Sequence, residues 1–126
     1  MPIWIIKEVV LAVHDEQLAE HGGSSGVRDE GALDSALARP QNKEAYGCTD
    51  IMELAAAYAF GVARNHPFID GNKRTSFVVT LLFLHMNGFV LTAPQSDRVT
   101  TWLSIAAGEM DEAAIAAWLR ANTRPI

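Results

Sequence analysis

The stretch NKRTSFVVTLLFLHMN (residues 72–87) decides the fold of this chain. It is apolar almost all round, a turn at Asp70 and Gly71 precedes it, and Gly88 follows it. The β-branched residues 78–80 suit a buried strand, but about sixteen residues between a turn and a terminal glycine are typical of a helix. We therefore predict a central apolar helix over about residues 72–87.

Helix signals recur on both sides of this run. Capping residues, glycines and prolines divide the chain into helix-sized segments, and Asp50 with Glu53 forms a capping box. The apolar stripe of the first segment comprises Ile5, Ile6, Val9, Val10, Val13 and Leu18. Besides the central helix, the predicted helices are one ending near His21, a shorter one capped by Asp29 and ending before Pro40, one from Asp50 to Asn65, one opened by Thr92 and Pro94 and ending near Gly108, and one capped by Asp111. The fold class is therefore all-α, a compact bundle of about six helices.

Length and composition limit the kinds of protein this chain can be. Its 126 residues predict a single domain over residues 1–126, and 49% hydrophobic with 20% charged residues predict a folded one. A formal charge of −5 argues against direct binding to nucleic acid or to a membrane surface. Cys48 is the only cysteine, and the first residues lack a signal-peptide pattern, so we expect a cytoplasmic protein.

The segment HPFIDGNKR (residues 66–74) is predicted to form an anion site where one helix ends and the central helix begins. The first turn of a helix has free N–H groups and partial positive charge, which suit phosphate. Gly71 allows the backbone to approach a ligand closely. Lys73 and Arg74, with Arg64 nearby, add cationic side chains.

The same segment carries groups that suit phosphoryl chemistry. Asp70 next to a polyphosphate is what a Mg²⁺ ion needs, and Asn72 can orient either group. His66 can accept a hydroxyl proton near neutral pH. Taken alone, a histidine before a proline is more often a solvated helix end than a base. The scattered His14, His21 and His85 are read as structural, and Cys48 as an ordinary thiol.

Residues 66–74 resemble the motif of the Fic/Doc family, His-Pro-Phe-x-Asp/Glu-Gly-Asn-Gly-Arg. Lys73 stands where typical Fic proteins have glycine, and the Asn-Lys-Arg ending resembles the death-on-curing (Doc) branch. Residues 31–40 (GALDSALARP) also resemble a segment that those toxins carry upstream. The resemblance covers about residues 1–120.

The resemblance implies a fold and an activity. The family is all-α, and its typical members transfer AMP from ATP to a protein hydroxyl. Doc-like members transfer the γ-phosphate of ATP to a threonine of elongation factor Tu and so halt translation. By this resemblance His66 is the general base, Asp70 holds Mg²⁺, and Asn72, Lys73 and Arg74 contact phosphate. The anion site described above adds Gly71 and Arg64 to the predicted phosphate-binding residues.

Other functions remain open at this point. The site also suits AMP transfer, or nucleotide binding without catalysis by a protein that acts mainly as an antitoxin partner. A nuclease fits less well, because a basic face and a second carboxylate near Asp70 are both missing from the sequence. Whether residues 41–49 form the flap that in the family aligns target proteins beside the site also stays open.

The resemblance further implies control by a second chain. The inhibitory pattern Ser/Thr-x-x-x-Glu-Gly/Asn of many Fic proteins is missing here, since Thr49 and Glu53 are followed by Leu54. An antitoxin is therefore expected to dock an amphipathic helix in an apolar groove. The alanine-rich faces of the first or third predicted helix are candidates for that groove.

Overall fold

The computed structural model describes residues 2–126 and shows a mostly helical protein, which confirms the all-α class and about six helices. None of the described helices is long and apolar enough to cross a membrane. A short antiparallel sheet, which the sequence did not predict, joins the C-terminus to the end of the fourth helix. The elements in chain order are α1 Lys7–His21, α2 Glu30–Ala45, α3 Ile51–Asn65, α4 Asn72–Met86, β1 Phe89–Leu91, α5 Gln95–Ala106, α6 Glu112–Ala121 and β2 Thr123–Pro125.

The core is built around α3 together with α4. Ten of the fifteen residues of α3 are buried, among them alanines that let neighbouring helices approach closely. This helix packs against α2, α4, α5 and α6. The predicted central helix exists as α4 and lies in the core, but only six of its fifteen residues are buried, so α3 is the more enclosed of the two. Polar Thr75, Ser76 and Thr80 take up part of the buried face of α4.

The inward face of α1 differs from the predicted apolar stripe. The buried residues of α1 are Val10, His14 and Gln17, whereas Ile6 and Val9 are 59% and 37% exposed. The stripe placed Val10 correctly but missed the two polar residues that follow it at helical spacing. The burial of His14 is explained by its contacts with the loop that follows α3, described below.

Helix α2 continues past Pro40, which was predicted to lie beyond its end. A proline inside a helix loses one backbone hydrogen bond and costs about 3 kcal/mol. The apolar spacing of Leu33, Ala36, Leu37 and Pro40 is nevertheless unbroken, and all four side chains are buried. Burial of this face therefore outweighs the lost bond.

The predicted aspartate caps are confirmed. Asp29, Asp50 and Asp111 accept hydrogen bonds from the N–H groups of Ala32, Met52 and Ala114 at 3.0, 2.9 and 2.8 Å. In the predicted capping box the Glu53 carboxylate would accept from the Asp50 N–H. In this structure it accepts from the Cys48 thiol at 3.6 Å. Burial raises the pKa of this thiol above its ordinary value, which fits an unreactive cysteine.

We predict that Gly61→Ala destabilises the protein although alanine favours helix. Gly61 lies in α3, and a Cβ there would be 3.1 Å from the Cα and 3.2 Å from the Cβ and carbonyl oxygen of Ala36 in α2. The helix-propensity gain of about 1 kcal/mol is smaller than the usual cost of forcing atoms into a packed contact, about 1–3 kcal/mol. Urea denaturation should show a lower free energy of unfolding.

Gly31→Ala in α2 is the matched control for this substitution. A Cβ at Gly31 meets only Asp29 Oδ1, at 3.4 Å, an ordinary contact. This variant should gain about 0.5–1 kcal/mol of stability. If Gly61→Ala stabilised the protein as much as Gly31→Ala, α2 and α3 would have room for a methyl group between Gly61 and Ala36, which would contradict the prediction.

Candidate active site

Residues 66–71 form the loop between α3 and α4, and His66 begins it in an unusual conformation. Helix α3 ends at Asn65 as predicted, but His66 has φ 48° and ψ 55°, the left-handed region, instead of the extended conformation that a following proline favours. Among residues 2–126 it is the only non-glycine residue with positive φ. Such strain persists only where surrounding contacts impose it.

The side chain of Asn72 braces the loop from within. Its Oδ1 accepts from the Phe68 N–H at 2.9 Å, and its Nδ2 donates to the Phe68 carbonyl at 3.0 Å. Asn72 was predicted as a phosphate contact. Its amide is engaged with the loop in this structure, so its bracing role is the one that the contacts support.

The buried His14 of α1 supports the loop from below. Its ring stacks on the ring of Phe68, with centroids 3.8 Å apart and planes 9° from parallel. Its Nε2 lies 2.8 Å from the Asp70 carbonyl oxygen, so this nitrogen carries the proton and donates it. The sequence predicted a structural role for His14. These contacts fit that role, because they join α1 to the middle of the loop.

The segment before α2 pairs with the loop in the manner of a strand. Val27 and Phe68 form an isolated antiparallel bridge, and the Ile69 N–H donates to the Gly26 carbonyl at 3.1 Å. Residues 41–49, considered as a flap from the sequence, comprise the last turn of α2 and the connection from it toward α3. The segment that lies beside the motif is therefore residues 22–29.

Arg28 is a contact of the loop that the sequence did not indicate. Its Nε donates to the His66 carbonyl at 2.7 Å and its Nη2 to the Asn65 carbonyl at 3.0 Å. The sequence separations of 38 and 37 residues explain why no local pattern predicted these bonds. For His14, the helical spacing from Val10 was a usable signal of burial.

The first turn of α4 is open to a ligand. Gly71 is its N-cap in the left-handed conformation, φ 78°, and no side chain caps this turn among the described residues. Lys73 and Arg74 are both exposed there. Free N–H groups, the helix dipole and two cationic side chains together favour an anion such as phosphate.

Asp70 lies at the rim of this turn with an exposed side chain. Its Oδ1 accepts from the Gly71 N–H at 2.9 Å and its Oδ2 from the Ser24 N–H at 3.4 Å. Gly23 leaves room for this carboxylate, because a Cβ at position 23 would be only 2.7 Å from Asp70 Oδ2. Within residues 2–126 no group of three or more His, Cys, Asp or Glu residues is arranged to hold a metal alone. One carboxylate fits Mg²⁺ that takes its other ligands from phosphate oxygens and water.

A cleft of about 470 Å³ opens beside Lys73 and Arg74, between α1, α4 and α5. Its apolar wall combines Phe77 and Val78 of α4 with Val99 and Trp102 of α5. The remaining lining residues are Gln17, Glu20, His21, Gln95 and Arg98. The cleft is thus cationic where it meets the anion site and apolar farther along.

Arg64 is the predicted site residue whose contacts lie elsewhere. Its Nη1 donates to the Ala106 carbonyl at the end of α5 at 3.2 Å. Its guanidinium also lies against Gly108, where a Cβ would be 2.8 Å from Nη1. These contacts join α3 to α5, and they give the predicted phosphate contact of Arg64 no support.

Comparisons with known proteins show what this chain is similar to. A family model described as the Fic/DOC family matches residues 4–84, which include the whole loop. The chain is 36% identical over 118 residues to a protein of Escherichia phage P1 named protein kinase doc, covering 92% of each chain. It is 43% identical over 103 residues to a Mycolicibacterium smegmatis protein named toxin Doc, covering 78% of each.

We predict that His14→Ala destabilises the protein and loosens the loop. The substitution removes the ring that stacks on Phe68 and the donor to the Asp70 carbonyl, so the free energy of unfolding should fall by about 2–4 kcal/mol. Urea denaturation measures this loss. Hydrogen exchange should show faster exchange of the Phe68 amide.

His85→Ala is the control, because His85 lies exposed near the end of α4. It should change stability by no more than about 0.5 kcal/mol. Equal losses in the two variants would show that the stack contributes nothing specific.

Proposed function

The chain belongs to the Fic/DOC family, and we propose that it is a Doc-like toxin kinase. In this proposal it transfers the γ-phosphate of ATP to a hydroxyl of a translation factor, a threonine of elongation factor Tu, and so inhibits translation. The observation that carries the proposal is the open, cationic first turn of α4 immediately after the loop that holds His66 and Asp70. Its relatives named protein kinase doc and toxin Doc support the same class of function.

The first turn of α4 holds the phosphates of ATP in this proposal. Backbone N–H groups bind phosphate oxygens, and Lys73 and Arg74 neutralise their charge. The lysine matters most for the type of reaction. A glycine in its place leaves room for α- and β-phosphates against the helix, whereas the lysine side chain fills that room and adds a charge, which favours a different nucleotide pose.

Asp70 is the proposed carboxylate ligand of Mg²⁺, which supplies charge neutralisation to the transferring phosphate when bound. The hydrogen bonds from Gly71 and Ser24 point the carboxylate in a fixed direction. Each carboxylate oxygen keeps a second lone pair for the ion.

His66 is the proposed general base, and its side chain is exposed to an incoming protein. The target hydroxyl oxygen bonds to the γ-phosphorus while the bond from that phosphorus to the β–γ bridging oxygen breaks. ADP leaves, and the hydroxyl proton passes to a ring nitrogen of His66. Because phosphoryl transfer depends mainly on positioning and charge neutralisation, the base must be held close to the target hydroxyl.

We predict that the protein, with Mg²⁺ and ATP, labels one major cytoplasmic protein of a lysate from [γ-³²P]ATP and none from [α-³²P]ATP. His66→Ala should lower the rate by at least about 100-fold, because the base acts in the transition state. Autoradiography of a gel measures both outcomes. Purified elongation factor Tu should accept the γ-label directly.

Two further variants complete this experiment, one as a control and one as a test of Lys73. His85→Ala replaces an exposed histidine outside the loop and should transfer label at the wild-type rate. Lys73→Gly should transfer the γ-label more slowly. Transfer of the α-label by the wild-type protein would establish AMP transfer instead, and binding of ATP without any transfer would establish a non-catalytic nucleotide-binding protein.

The cleft between α1, α4 and α5 is the proposed docking site of an antitoxin helix. The alanine face of α3, one of the two faces considered from the sequence, is wholly buried and is not accessible. The cleft offers an apolar wall, and exposed Val99 and Leu103 of α5 stand one helical turn apart at its side. An occupant would also cover Lys73 and Arg74, so docking would block the phosphates of ATP.

We predict that expression of the protein arrests growth and that co-expression of the neighbouring open reading frame relieves the arrest. Val99→Asp should abolish the relief while leaving the toxicity, because it places a charge in the apolar contact. Ile3→Asp is the matched control, since Ile3 is exposed to the same degree, 53%, but lies in the segment before α1. Colony counts with and without the second gene measure the effect. Relief that survives Val99→Asp would move the antitoxin to another face, and harmless expression of the soluble protein would contradict the toxin function.

A further inference from the structure

We infer that Arg28 is a positioning residue for His66, one that holds the backbone of the proposed base in its left-handed conformation and thereby directs its imidazole. The inference rests on the proposed function for its catalytic consequence. Its structural basis is independent of that function, because it consists of contacts between the segment before α2 and the end of α3.

The guanidinium of Arg28 bridges two successive carbonyls. Nε donates to His66 at 2.7 Å and Nη2 donates to Asn65 at 3.0 Å. Two donors of a rigid planar group thus fix the relative orientation of the two peptide planes that meet at the His66 Cα. The φ and ψ of His66 together set this relative orientation, so the contact acts on the strained conformation itself.

The backbone next to Arg28 completes the contact. The N–H groups of Arg28 and Asp29 donate to the Pro67 carbonyl at 2.7 and 3.1 Å. Three consecutive carbonyls, those of residues 65–67, are therefore all bound by residues 28 and 29. This anchors the arginine at its Cα as well as at its guanidinium, which lowers the entropy lost in holding a long side chain.

The contact opposes what the local sequence favours. Pro67 disfavours helical conformations at His66 and favours the extended region. A His66 released to that region would turn its Cα–Cβ bond, and with it the imidazole, away from the present direction. The carbonyl end of α3 also carries partial negative charge, which stabilises a cation placed there.

Within the part of the chain that the structure describes, Arg28 forms no ion pair with an acidic side chain. The ion pairs within residues 2–126 involve Lys7, His21, Arg39, Lys43 and Arg120 as the basic partners, and none involves Arg28. Its guanidinium is anchored by backbone carbonyls of the loop. An arginine that served only solubility would not need these two hydrogen bonds to the carbonyls of Asn65 and His66.

Lysine cannot reproduce this geometry. An ammonium group is a point charge with no fixed fork, so it satisfies one carbonyl well and leaves the angle between the two peptide planes free. We therefore expect Arg28→Lys to keep the charge at the end of α3 but to lose most of the positioning.

The test compares Arg28→Ala and Arg28→Lys with Arg124→Ala, an exposed arginine of β2. In γ-label transfer to elongation factor Tu, Arg28→Ala should lower kcat by about 10- to 100-fold with KM for ATP changed less than about 2-fold. Arg28→Lys should recover only a small part of kcat, free guanidinium ion should partly restore the alanine variant, and Arg124→Ala should behave as wild type. In the His66→Ala background, Arg28→Ala should have little further effect on the residual rate.

NMR backbone chemical shifts of His66 provide a readout that needs no activity. They should report the left-handed conformation in the wild type and a move toward extended values in Arg28→Ala, with the shifts of α3 interior residues unchanged. Unchanged His66 shifts, full recovery by lysine, or a kcat equal to wild type would each overturn the inference. If the wild-type protein transfers no label, the proposed function fails, and the His66 shifts alone decide whether Arg28 sets this backbone.

Discussion

The stack of the Phe68 ring on the buried His14 ring is the contact on which the arrangement of the candidate site depends. Phe68 sits in the middle of the loop between α3 and α4, and its backbone is bound from one side by Asn72 and from another by the strand-like pairing with Val27. Because Phe68 is buried, the loop cannot shift without opening the core beneath it. The groups with proposed chemical roles, His66 and Asp70, lie two residues before and two residues after this fixed point.

Two helix ends of opposite polarity meet at this loop. The carbonyl end of α3 carries partial negative charge, and the N–H end of α4 carries partial positive charge. An anionic substrate is therefore attracted to α4 and repelled from α3, which separates the phosphate position from the base position. Arg28 covers the carbonyls at the end of α3, while the end of α4 is left uncapped by the side chains described. The protein thus satisfies the end that supports His66 and keeps open the end that can bind a ligand.

The parts of the structure that the sequence predicted are those whose signals are local. Aspartate caps, glycine ends and apolar spacing located the six helices, and one nine-residue motif located His66, Asp70, Lys73 and Arg74. The features that the sequence did not predict come from tertiary contacts. Pro40 stays inside α2 because burial of its face outweighs a lost hydrogen bond, Arg64 turns to α5, and the partner of His66 is 38 residues away in sequence. Strands of three residues carry too little pattern to be predicted at all.

The position of the cleft has a consequence for any inhibitor that binds in it. Lys73 and Arg74 belong both to the first turn of α4 and to the lining of the cleft, so a phosphate and an occupant of the cleft compete for the same cationic groups. Such competition is reciprocal. The factor by which bound inhibitor lowers the affinity for nucleotide equals the factor by which bound nucleotide lowers the affinity for inhibitor. A helix that bound there with an acidic side chain toward Arg74 would form an ion pair, and the apolar wall of Phe77 and Val99 would give it apolar contacts that phosphates do not make. In the proposed arrangement both ligands would therefore use the cationic end of the cleft, and only a helix would also use its apolar wall.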